Sequence, residues 1–347
     1  MSAGVNGIEL EWFKSYLNDR TQFVQIGQYS SDEMTVMSGV PQGSILGPLL
    51  FLIYVNSLQF SSLLGELYLF ADDTILLYEA NSIPSLYDKV NHDLSVLFKW
   101  FSANGLKLNV KKTCFLLIAS TFMLPLFDNL PSPLLDNQTI AIVSKLKYLG
   151  LIFDSTLCWN DHIQTVISKI GSLTGVFHRL KHIFSITKKK EIYHALIQSQ
   201  LMYLISIWGS ARHKYTALLE VTQNRVVRAL FNYHYRSNLF AMYYTLRLKP
   251  INMLFRYAQS LFVYKVLNNL SIVSVNFLRR SQVMVGRYTL RHNQVLDTPE
   301  ISTTTYGTLG CLHQMITIYN SLPSSIKSSQ SISTFKNQLN NHLWLVH

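Results

Sequence analysis

Hydrophobic residues recur at helical spacing in two long stretches of the chain. The first stretch has an apolar stripe made of Leu86, Val90, Leu94, Leu97, Phe98 and Phe101. The second has a stripe made of Ile163, Val166, Ile167, Ile170, Leu173, Phe177 and Leu180. Asn160 precedes the second stripe and is a suitable N-cap, because its side chain can accept a hydrogen bond from a free backbone N–H of the first turn. The pattern therefore predicts two amphipathic helices, and further helical stretches start near Thr187 and Tyr215.

A different pattern flanks a pair of acidic residues. Leu67–Ala71 and Thr74–Tyr78 are almost continuously apolar and rich in strand-forming residues, and Asp72-Asp73 stands between them. Such runs predict two buried strands joined by a tight turn. Helix-like and strand-like patterns alternate from about residue 8 to 154, which predicts an α+β fold with an antiparallel sheet and helices on one of its faces. We expect three regions, covering residues 1–158, 159–270 and 271–347.

A glycine-rich loop lies upstream of the acidic pair. It runs from Ser38 to Pro48 and is followed by the apolar run from Leu49 to Leu58. Pro48 suits the first turn of a helix. Gly39 and Gly43 permit close approach of a ligand to the backbone, and the start of the helix offers free N–H donors to a phosphate.

Adjacent carboxylates at a hairpin tip indicate a metal site or an ordinary turn. Asp72 and Asp73 repel each other, and a cation would relieve that repulsion. Carboxylates that hold a divalent metal at a sheet edge are typical of phosphoryl- and nucleotidyl-transfer enzymes. Asp is also a common turn residue. The pair taken alone favours an ordinary turn, and only the neighbouring segments change that balance.

Composition restricts the possible partners. The chain has 347 residues, is 48% hydrophobic and carries a net charge of +11. A basic chain of this size can bury one large core or two smaller ones, and it suits a polyanionic partner such as nucleic acid or an anionic membrane surface. The longest apolar candidate for a membrane span, Ala195–Trp208, is interrupted by Gln198 and Gln200. We expect no membrane span and no secretory signal, and so an intracellular protein of the nucleus or cytoplasm.

Cysteine usage agrees with that expectation. Cys114, Cys158 and Cys311 are too few and too far apart to predict a disulfide framework or a zinc site.

Four segments, in this order and spacing, resemble the palm motifs of reverse transcriptases encoded by non-LTR (LINE-type, jockey-like) retrotransposons. They are the Gly-Val-Pro-Gln-Gly-Ser loop at 39–44, Phe-Ala-Asp-Asp at 70–73, Gly-Leu-Lys-Leu-Asn at 105–109 and Tyr-Leu-Gly at 148–150. The resemblance implies RNA-directed DNA synthesis by two-metal nucleotidyl transfer, with an RNA template, a DNA primer and their RNA–DNA hybrid as partners. It also implies a right-hand polymerase palm followed by a helical thumb.

The resemblance implies roles for the first two segments. Asp72 would be the main ligand of Mg²⁺ or Mn²⁺, and Asp73 would support it. Gln42 and Gly43 would lie beneath the incoming nucleotide and the template base.

It implies roles for the other two segments as well. Lys111 or Lys112 would lie near the triphosphate, although both are equally compatible with a solvated turn. Tyr148, Leu149 and Gly150 would lie on the strand that positions the end of the primer, although Tyr148 and Leu149 also suit a plain core.

Basic residues lie on the polar faces of the helical stretches that begin with the second apolar stripe. Their side chains are Lys169, Arg179, Lys181, Lys188, Lys189, Lys190, Arg225 and Arg228. They fit a thumb that grips template–primer phosphates, or simply a solvated helix face. The tail is basic through Arg279, Arg280, Arg287 and Arg291. Its Ser321–Ile326 segment, followed by Phe335-Lys336, resembles the region after the thumb in such elements, with Tyr319 where relatives often have Trp.

The chain departs from the family pattern in its acidic residues. The resemblance implies a third metal-binding carboxylate on an apolar strand upstream, but Asp19, Asp32 and Glu33 lie in polar, turn-like surroundings. Ser57 also replaces an Asp that is usual in relatives. We therefore expect an N-terminally truncated polymerase that binds metal weakly and is inactive alone, with its missing N-terminal half as a possible partner. A non-catalytic nucleic-acid-binding or scaffold protein, and a functionless product of a decayed element, are the alternatives.

Overall fold

The structure is a computed structural model that describes residues 4–124, 130–273, 278, 295–298 and 308–346. The four arginines that make the tail basic, at positions 279, 280, 287 and 291, lie outside the described residues. Two compact units are present. The first comprises the described residues of Met1–Phe115 and Leu126–Val143, and the second those of Leu116–Pro125 and Ser144–His347.

Helices and short strands both occur, as expected for an α+β fold. The helices are α1 (Gly7–Leu17), α2 (Gly47–Val55), α3 (Ile83–Ala103), α4 (Asn160–Leu180), α5 (Ile186–Tyr193), α6 (Ser199–Met202), α7 (Ile205–Trp208), α8 (His213–Phe231), α9 (Leu239–Leu246), α10 (Ile251–Leu267), α11 (Cys311–Asn320), α12 (Ser324–Lys327) and α13 (Ile332–Val346). The strands are β1 (Thr21–Gln22), β2 (Gln25–Ile26), β3 (Tyr29–Ser30), β4 (Met34–Thr35), β5 (Glu66–Phe70), β6 (Asp73–Leu77), β7 (Cys114–Leu116), β8 (Leu134–Leu135), β9 (Gln138–Thr139), β10 (Ala141–Val143), β11 (Lys145–Tyr148) and β12 (Leu151–Asp154).

The strands form separate pairs. In the described part of the chain, β1 pairs with β4, β2 with β3, β5 with β6, β7 with β10, β8 with β9 and β11 with β12. The prediction of one antiparallel sheet with helices on a single face is therefore wrong, because the described strands form separate two-stranded sheets. Most of the pairs are hairpins closed by their own turn, and no third strand lies beside a pair among the described residues.

The β5–β6 hairpin is also less buried than its composition predicts. Its register is continuous from Glu66 opposite Leu77 to Phe70 opposite Asp73. Exposed and half-buried residues alternate along β5. The side chains of Tyr68 and Phe70 are 50% and 59% exposed. A fully buried strand needs cover on both faces of the sheet, and this two-stranded ribbon is covered only in part.

The first unit has a small core around α3. Val90 and Leu94 from α3 pack with Leu135 and Ile140, and the prediction of this amphipathic helix is confirmed. Ser82 caps the helix by accepting a hydrogen bond from the backbone N–H of Ser85. Many apolar side chains elsewhere in the unit remain exposed, including those of Phe23, Val24, Ile26, Tyr29, Met34, Met37 and Ile45.

The second unit has a larger, mostly helical core. The apolar stripe of α4 packs against α8, and Ile163, Ile170, Val226 and Leu230 are buried between them. A further cluster joins α10, α11 and α13. The predicted helical starts near Thr187 and Tyr215 are confirmed within two residues by α5 and α8.

The start of α4 differs from the prediction. Trp159, with a left-handed φ of 65°, holds the N-cap position, and Asn160 is the first helical residue rather than the cap. The Asp154 carboxylate accepts hydrogen bonds from the loop that leads into α4, as described below. No helix in the described ranges combines the length and the apolar character needed to cross a bilayer.

Candidate functional site

The acidic pair lies at the tip of the β5–β6 hairpin. Ala71 and Asp72 form a two-residue turn, and Asp73 is the first residue of β6, opposite Phe70. Ala71 has a φ of 51°, the left-handed conformation that tight hairpin turns require and that non-glycine residues adopt only at a cost. Both aspartates are exposed. The turn therefore presents two adjacent carboxylates to solvent.

A buried aspartate anchors the base of the same hairpin. Asp93 on α3 is fully buried, and its carboxylate accepts hydrogen bonds from the backbone N–H of Leu64 (3.0 Å) and of Gly65 (2.9 Å). His92 Nδ1 lies 2.9 Å from the Asp93 carboxylate. Burial opposes ionisation of Asp93, but these hydrogen bonds favour the carboxylate and the pKa of Asp93 is lowered overall. Asp93 therefore fixes where β5 begins.

Gly65 allows this arrangement. A Cβ atom at position 65 would meet the ring of Tyr78 at 2.5 Å, so any larger residue would displace that ring. Burial and the neighbouring Asp93 charge raise the pKa of Tyr78. Asp93 was not among the residues singled out from the sequence. The sequence did contain a signal of its burial, because Asp93 directly precedes Leu94 within the apolar stripe of α3.

The glycine-rich loop folds into a compact turn before α2. Gly39 and Gly43 have φ values of 87° and 76°, and no atom lies within 4 Å of a Cβ built at either position. Ser44 Oγ donates to the carbonyl of Pro41 (2.7 Å) and accepts from the N–H of Gly47 (3.0 Å). Space is therefore free beside Gly39 and Gly43, and the approach of a ligand to the backbone there stays a prediction.

Other contacts complete this loop. Gln42 and Gly43 are exposed, and Pro48 lies in the first turn of α2 as expected. Arg20, which the sequence did not single out, donates from Nη2 to the carbonyl of Gly39 and from Nε to the carbonyl of Leu17 (3.0 Å). One side chain thus connects the loop to the end of α1.

Lys111 and Lys112 lie in an exposed turn after α3. The carbonyl of Asn109 accepts hydrogen bonds from the N–H of Lys112 and of Thr113, both at 3.0 Å. Among the described residues, no hydrogen bond or ion pair joins these lysines to Asp72 or Asp73. They are therefore presented to solvent and are not held by the acidic pair.

The Tyr-Leu-Gly segment forms the β11–β12 turn. Tyr148 ends β11 opposite Leu151, and Leu149 and Gly150 form the two-residue turn with φ values of 44° and 82°. The expectation that all three lie on a strand is therefore wrong for Leu149 and Gly150, because consecutive left-handed residues close a hairpin. Tyr203, between α6 and α7, donates from its hydroxyl to the carbonyl of Leu149.

Asp154, at the end of β12, organises the approach to α4. Its carboxylate accepts hydrogen bonds from Thr156 Oγ1 (2.6 Å) and from the backbone N–H of Thr156 (3.0 Å), Cys158 (3.1 Å) and Trp159 (2.9 Å). Burial opposes its ionisation, but the hydrogen bonds lower the pKa of Asp154. Asp154 therefore holds the loop that ends at the N-cap residue Trp159, and the prediction that Asn160 is the cap is wrong.

The acidic pair alone does not make a complete metal centre. In the described part of the chain, no group of three or more His, Cys, Asp and Glu side chains is placed to hold a metal ion. Mg²⁺ prefers six near-ideal oxygen ligands. Two exposed carboxylates supply only part of such a set.

Charge is distributed very unevenly along the chain. Residues 155–347 contain 21 of the 30 Lys and Arg residues but only 5 of the 19 Asp and Glu residues. Lys169, Arg179, Lys188 and Arg225 on α4, α5 and α8 are exposed. The helical part of the chain therefore carries the positive potential that attracts polyanions.

Comparisons with known proteins agree with the motifs. The family model for reverse transcriptase (RNA-dependent DNA polymerase) matches residues 3–153. A probable RNA-directed DNA polymerase from transposon BS of Drosophila melanogaster is 29% identical over 229 residues, which cover 62% of this chain and 25% of that relative.

Two other relatives from the same organism show similar coverage. A probable RNA-directed DNA polymerase from transposon X-element is 27% identical over 228 residues, covering 62% of this chain and 24% of the relative. The RNA-directed DNA polymerase from mobile element jockey is 24% identical over 231 residues, with the same two coverages of 62% and 24%. The chain thus spans about a quarter of the length of these curated relatives. Together with the four motifs, these comparisons show that residues 3–153 match the reverse transcriptase family and that the chain is similar to RNA-directed DNA polymerases of mobile elements.

Proposed function

We propose that this chain is part of a polymerase that synthesises DNA on an RNA template. Residues 1–158 would form part of the palm, residues 159–270 the thumb, and residues 271–347 a basic tail. The observation that carries the proposal is the exposed Asp72-Asp73 pair at the tip of a tight hairpin, inside the region that matches the reverse transcriptase family. The second compact unit includes Ser144–His347, so β11 and β12 belong with the helices of that unit.

The roles of individual residues follow from their exposure. The open backbone around Gly43, with Gln42 beside it, would contact the incoming nucleotide and the template base. Lys111 or Lys112 would stabilise the negative charge of the triphosphate, which a mobile cation on an exposed turn can reach. The turn formed by Leu149 and Gly150, after Tyr148, would contact the end of the primer.

The carboxylates define what the chain lacks for catalysis. Reverse transcriptases use Mg²⁺ or Mn²⁺, and the resemblance implies three carboxylates at the metals. The described residues supply Asp72 and Asp73 without a third acidic group beside them. We therefore propose that the chain binds metal weakly and does not extend a primer alone, and that another segment of the polymerase supplies the third carboxylate.

Primer extension tests this proposal directly. The purified chain is incubated with an RNA template, a labelled DNA primer, nucleotides and Mg²⁺ or Mn²⁺, and no extension is expected. The same assay is then run on a fusion that places the upstream segment of a related intact element before Gly7. The fusion should extend the primer, and Asp72→Ala should abolish that extension.

A matched variant controls for the loss of an aspartate in a hairpin turn. Asp136 lies in the two-residue turn of the β8–β9 hairpin and has a φ of 50°. Asp136→Ala should leave extension by the fusion within about twofold. Extension by the chain alone would contradict its proposed inactivity. A folded but inactive fusion would instead favour the product of a decayed element.

A non-catalytic nucleic-acid-binding function is the second candidate. The excess of basic residues in positions 155–347 favours it, since this region could bind duplex phosphates without any chemistry at Asp72. The exposed cations of α4, α5 and α8 would contact the backbone of an RNA–DNA hybrid. Such contacts carry no sequence information, so little sequence preference is expected.

Salt dependence distinguishes phosphate contacts from other binding. Affinity for an RNA–DNA hybrid should fall steeply with salt, because each phosphate that Lys or Arg neutralises releases condensed counterions. Replacing Lys188, Lys189 and Lys190 by Gln should flatten the slope of the logarithm of affinity against that of salt by about 1–3. The control replaces Lys14, Lys89 and Lys99, which lie in the acidic half of the sequence. Equal slopes for the two triple variants would contradict the thumb assignment.

A further inference from the structure

Three aromatic side chains form a ridge on the second unit, which we call the α9 ridge. It consists of Phe240 and Tyr244 on α9 and Trp344 on α13. The Phe240 and Tyr244 rings are nearly parallel, with centroids 6.0 Å apart and an interplanar angle of 18°. Trp344 stands edge-on to both, at 6.2 Å from Phe240 and 5.6 Å from Tyr244.

Two rings of the ridge are exposed, although aromatic side chains usually lie in the core, and Trp344 is half-buried. Phe240 and Tyr244 are 49% and 46% exposed, while Met242 and Tyr243 on the other side of α9 are buried. The spacing of four residues places Phe240 and Tyr244 on one face of the helix. The helix thus separates a buried face from an aromatic outer face.

Cations lie directly on the aromatic rings of this region. The guanidinium of Arg247 lies 4.9 Å from the centre of the Tyr244 ring. In the loop that leads into α9, the guanidinium of Arg236 lies 5.2 Å from the ring of Tyr235, which is 65% exposed. The ring of His234 lies against the same Tyr235 ring, with centroids 4.4 Å apart. Basic and aromatic groups therefore alternate from the loop to the end of α9.

Within the described residues, Arg236 and Arg247 have no acidic partner. None of the ion pairs formed between described residues involves Arg236 or Arg247. The surrounding sequence is also poor in acids, since Glu220 and Asp297 are the nearest in sequence on either side. Both guanidinium groups remain available to an anionic ligand.

We propose that the α9 ridge, with Arg247 and the loop of Tyr235 and Arg236, binds unpaired nucleotides of RNA. Exposed aromatic rings with adjacent Arg are how proteins hold single strands, because bases stack on the rings and the cations contact phosphates. A duplex hides its base faces and cannot use the rings. An apolar protein partner would leave the guanidinium groups buried without a counter-charge. The inference rests on the proposed function for its ligand class, and it adds a second binding surface outside the four motifs.

Fluorescence anisotropy with two labelled probes tests the inference on the full chain. The probes are a 12-nucleotide oligouridine RNA and a blunt RNA–DNA hybrid of the same length. The double variant Phe240→Ala, Tyr244→Ala should bind oligouridine at least tenfold more weakly and the hybrid within twofold of the unchanged chain. Arg247→Gln should weaken oligouridine binding and reduce its salt dependence.

A matched control and a stability measurement keep the result interpretable. Leu218 and Val221 are exposed apolar residues on α8, so Leu218→Ala, Val221→Ala removes similar exposed surface away from the ridge. This control should bind oligouridine as the unchanged chain does. Thermal unfolding of each variant establishes that it is folded, which is expected because Phe240 and Tyr244 lie outside the buried cores.

The outcomes separate the inference from the proposed function. If the ridge variant and the α8 control bind oligouridine equally, the inference is wrong while the proposed function stands through hybrid binding. If neither probe binds at low salt, nucleic-acid binding itself fails. If the ridge variant loses binding to phosphatidylserine vesicles, or loses self-association, with oligouridine affinity unchanged, the ridge is a membrane or protein surface and the inference is wrong.

Discussion

Among the ionisable residues of α4, His162 has the pKa that burial changes most. Its side chain is 4% exposed, its Nδ1 accepts a hydrogen bond from the N–H of Ile152 (3.4 Å), and its ring centre lies 5.4 Å from that of Trp208. Burial, with a smaller effect from the positive charge of Lys169, lowers the pKa of His162 to about 4. The imidazole is therefore neutral in the folded protein at pH 7.

This shift predicts a pH dependence of stability. The unfolded chain protonates His162 near pH 6.5 and the folded chain only near pH 4, so stability is complete above pH 6.5 and falls between these values. The loss should reach about 3 kcal/mol. Urea unfolding of the second unit from pH 7 to 4 measures it, and His162→Gln should flatten the dependence.

The exposed His182 provides the control for this measurement. His182→Gln should keep the pH dependence of the unchanged chain, because its ring is not enclosed by the core. A His162→Gln variant with an unchanged pH dependence would show that another group causes it.

Asp154 and Asn160 show how a helix start is determined at the level of the element. The Asp154 carboxylate accepts four hydrogen bonds from the loop before α4, whereas Asn160 lies inside the helix and its side chain does not cap. The loop also contains the strained left-handed Trp159. The negative charge of Asp154 near the N-terminus of α4 adds a favourable interaction with the helix dipole.

We therefore predict very different effects of two substitutions on stability, in an order that the sequence alone would reverse. Asp154→Ala should lower the free energy of unfolding of the second unit by about 3 kcal/mol, because buried N–H donors lose a charged acceptor. Asn160→Ala should change it by less than about 0.5 kcal/mol. Urea unfolding at pH 7 compares them. A larger effect for Asn160→Ala would restore it as the cap.

Asp154 also makes stability depend on pH, but for a different reason than His162. The fold stabilises the charged form of Asp154 and the neutral form of His162. Because the folded pKa of Asp154 is lowered, its contribution is complete above the ordinary carboxyl pKa of 3.8 and is lost as the pH falls below that value. The effects of His162 and Asp154 are thus separated by pH.

The β11–β12 turn depends on one glycine for two reasons. Gly150 has a φ of 82°, and a Cβ built there would lie 3.2 Å from the Tyr203 ring. Gly105 has a φ of 64° but no atom within 4 Å of such a Cβ. The two positions share the backbone requirement and differ in the packing.

We predict that Gly150→Ala destabilises the protein more than Gly105→Ala. Each substitution should cost about 1 kcal/mol for the left-handed backbone, and Gly150→Ala should cost more because the Tyr203 ring must move. Tyr203→Phe removes the hydrogen bond to Leu149 and should partly relieve the Gly150→Ala contact. A double-mutant cycle in urea measures this coupling, and strictly additive effects would contradict the proposed packing.

At the scale of the whole molecule, the two units differ in how much apolar surface they bury. The buried cluster of the first unit consists of Val90, Leu94, Leu135 and Ile140, whereas the clusters of the second include residues from most of its helices. Isolated two-stranded sheets are also only marginally stable, and their unpaired edges can pair with other chains. The first unit should therefore be the less stable of the two.

Hydrogen exchange followed by mass spectrometry tests this difference. Backbone amides of α3 should exchange faster than those of α4 and α8 at every urea concentration, and they should lose protection first. An added upstream polymerase segment, as in the fusion described above, should slow exchange in the first unit specifically. Equal protection of α3 and α8 would show that the small core is sufficient.

Several features of this protein were determined by the sequence alone. The apolar periods of α3 and α4 predicted both helices, because a 3.6-residue repeat is a local property of the chain. The Asp72-Asp73 tip and the open loop at Gly39 and Gly43 were also predicted, since tight turns have local residue requirements. The four motifs in order were sufficient to recognise the family.

Other features were decided only by tertiary structure. The sequence predicted a single sheet with buried β5 and β6, but burial depends on which elements cover a strand, and these lie far away in the sequence. Asp93 and Asp154 were missed because their importance comes from the backbone N–H groups that folding brings to them. The hydrogen bonds that Asp154 accepts from the loop before α4 and the contacts of Trp344 with the rings of α9 have the same origin, because both depend on groups that only the folded chain brings together.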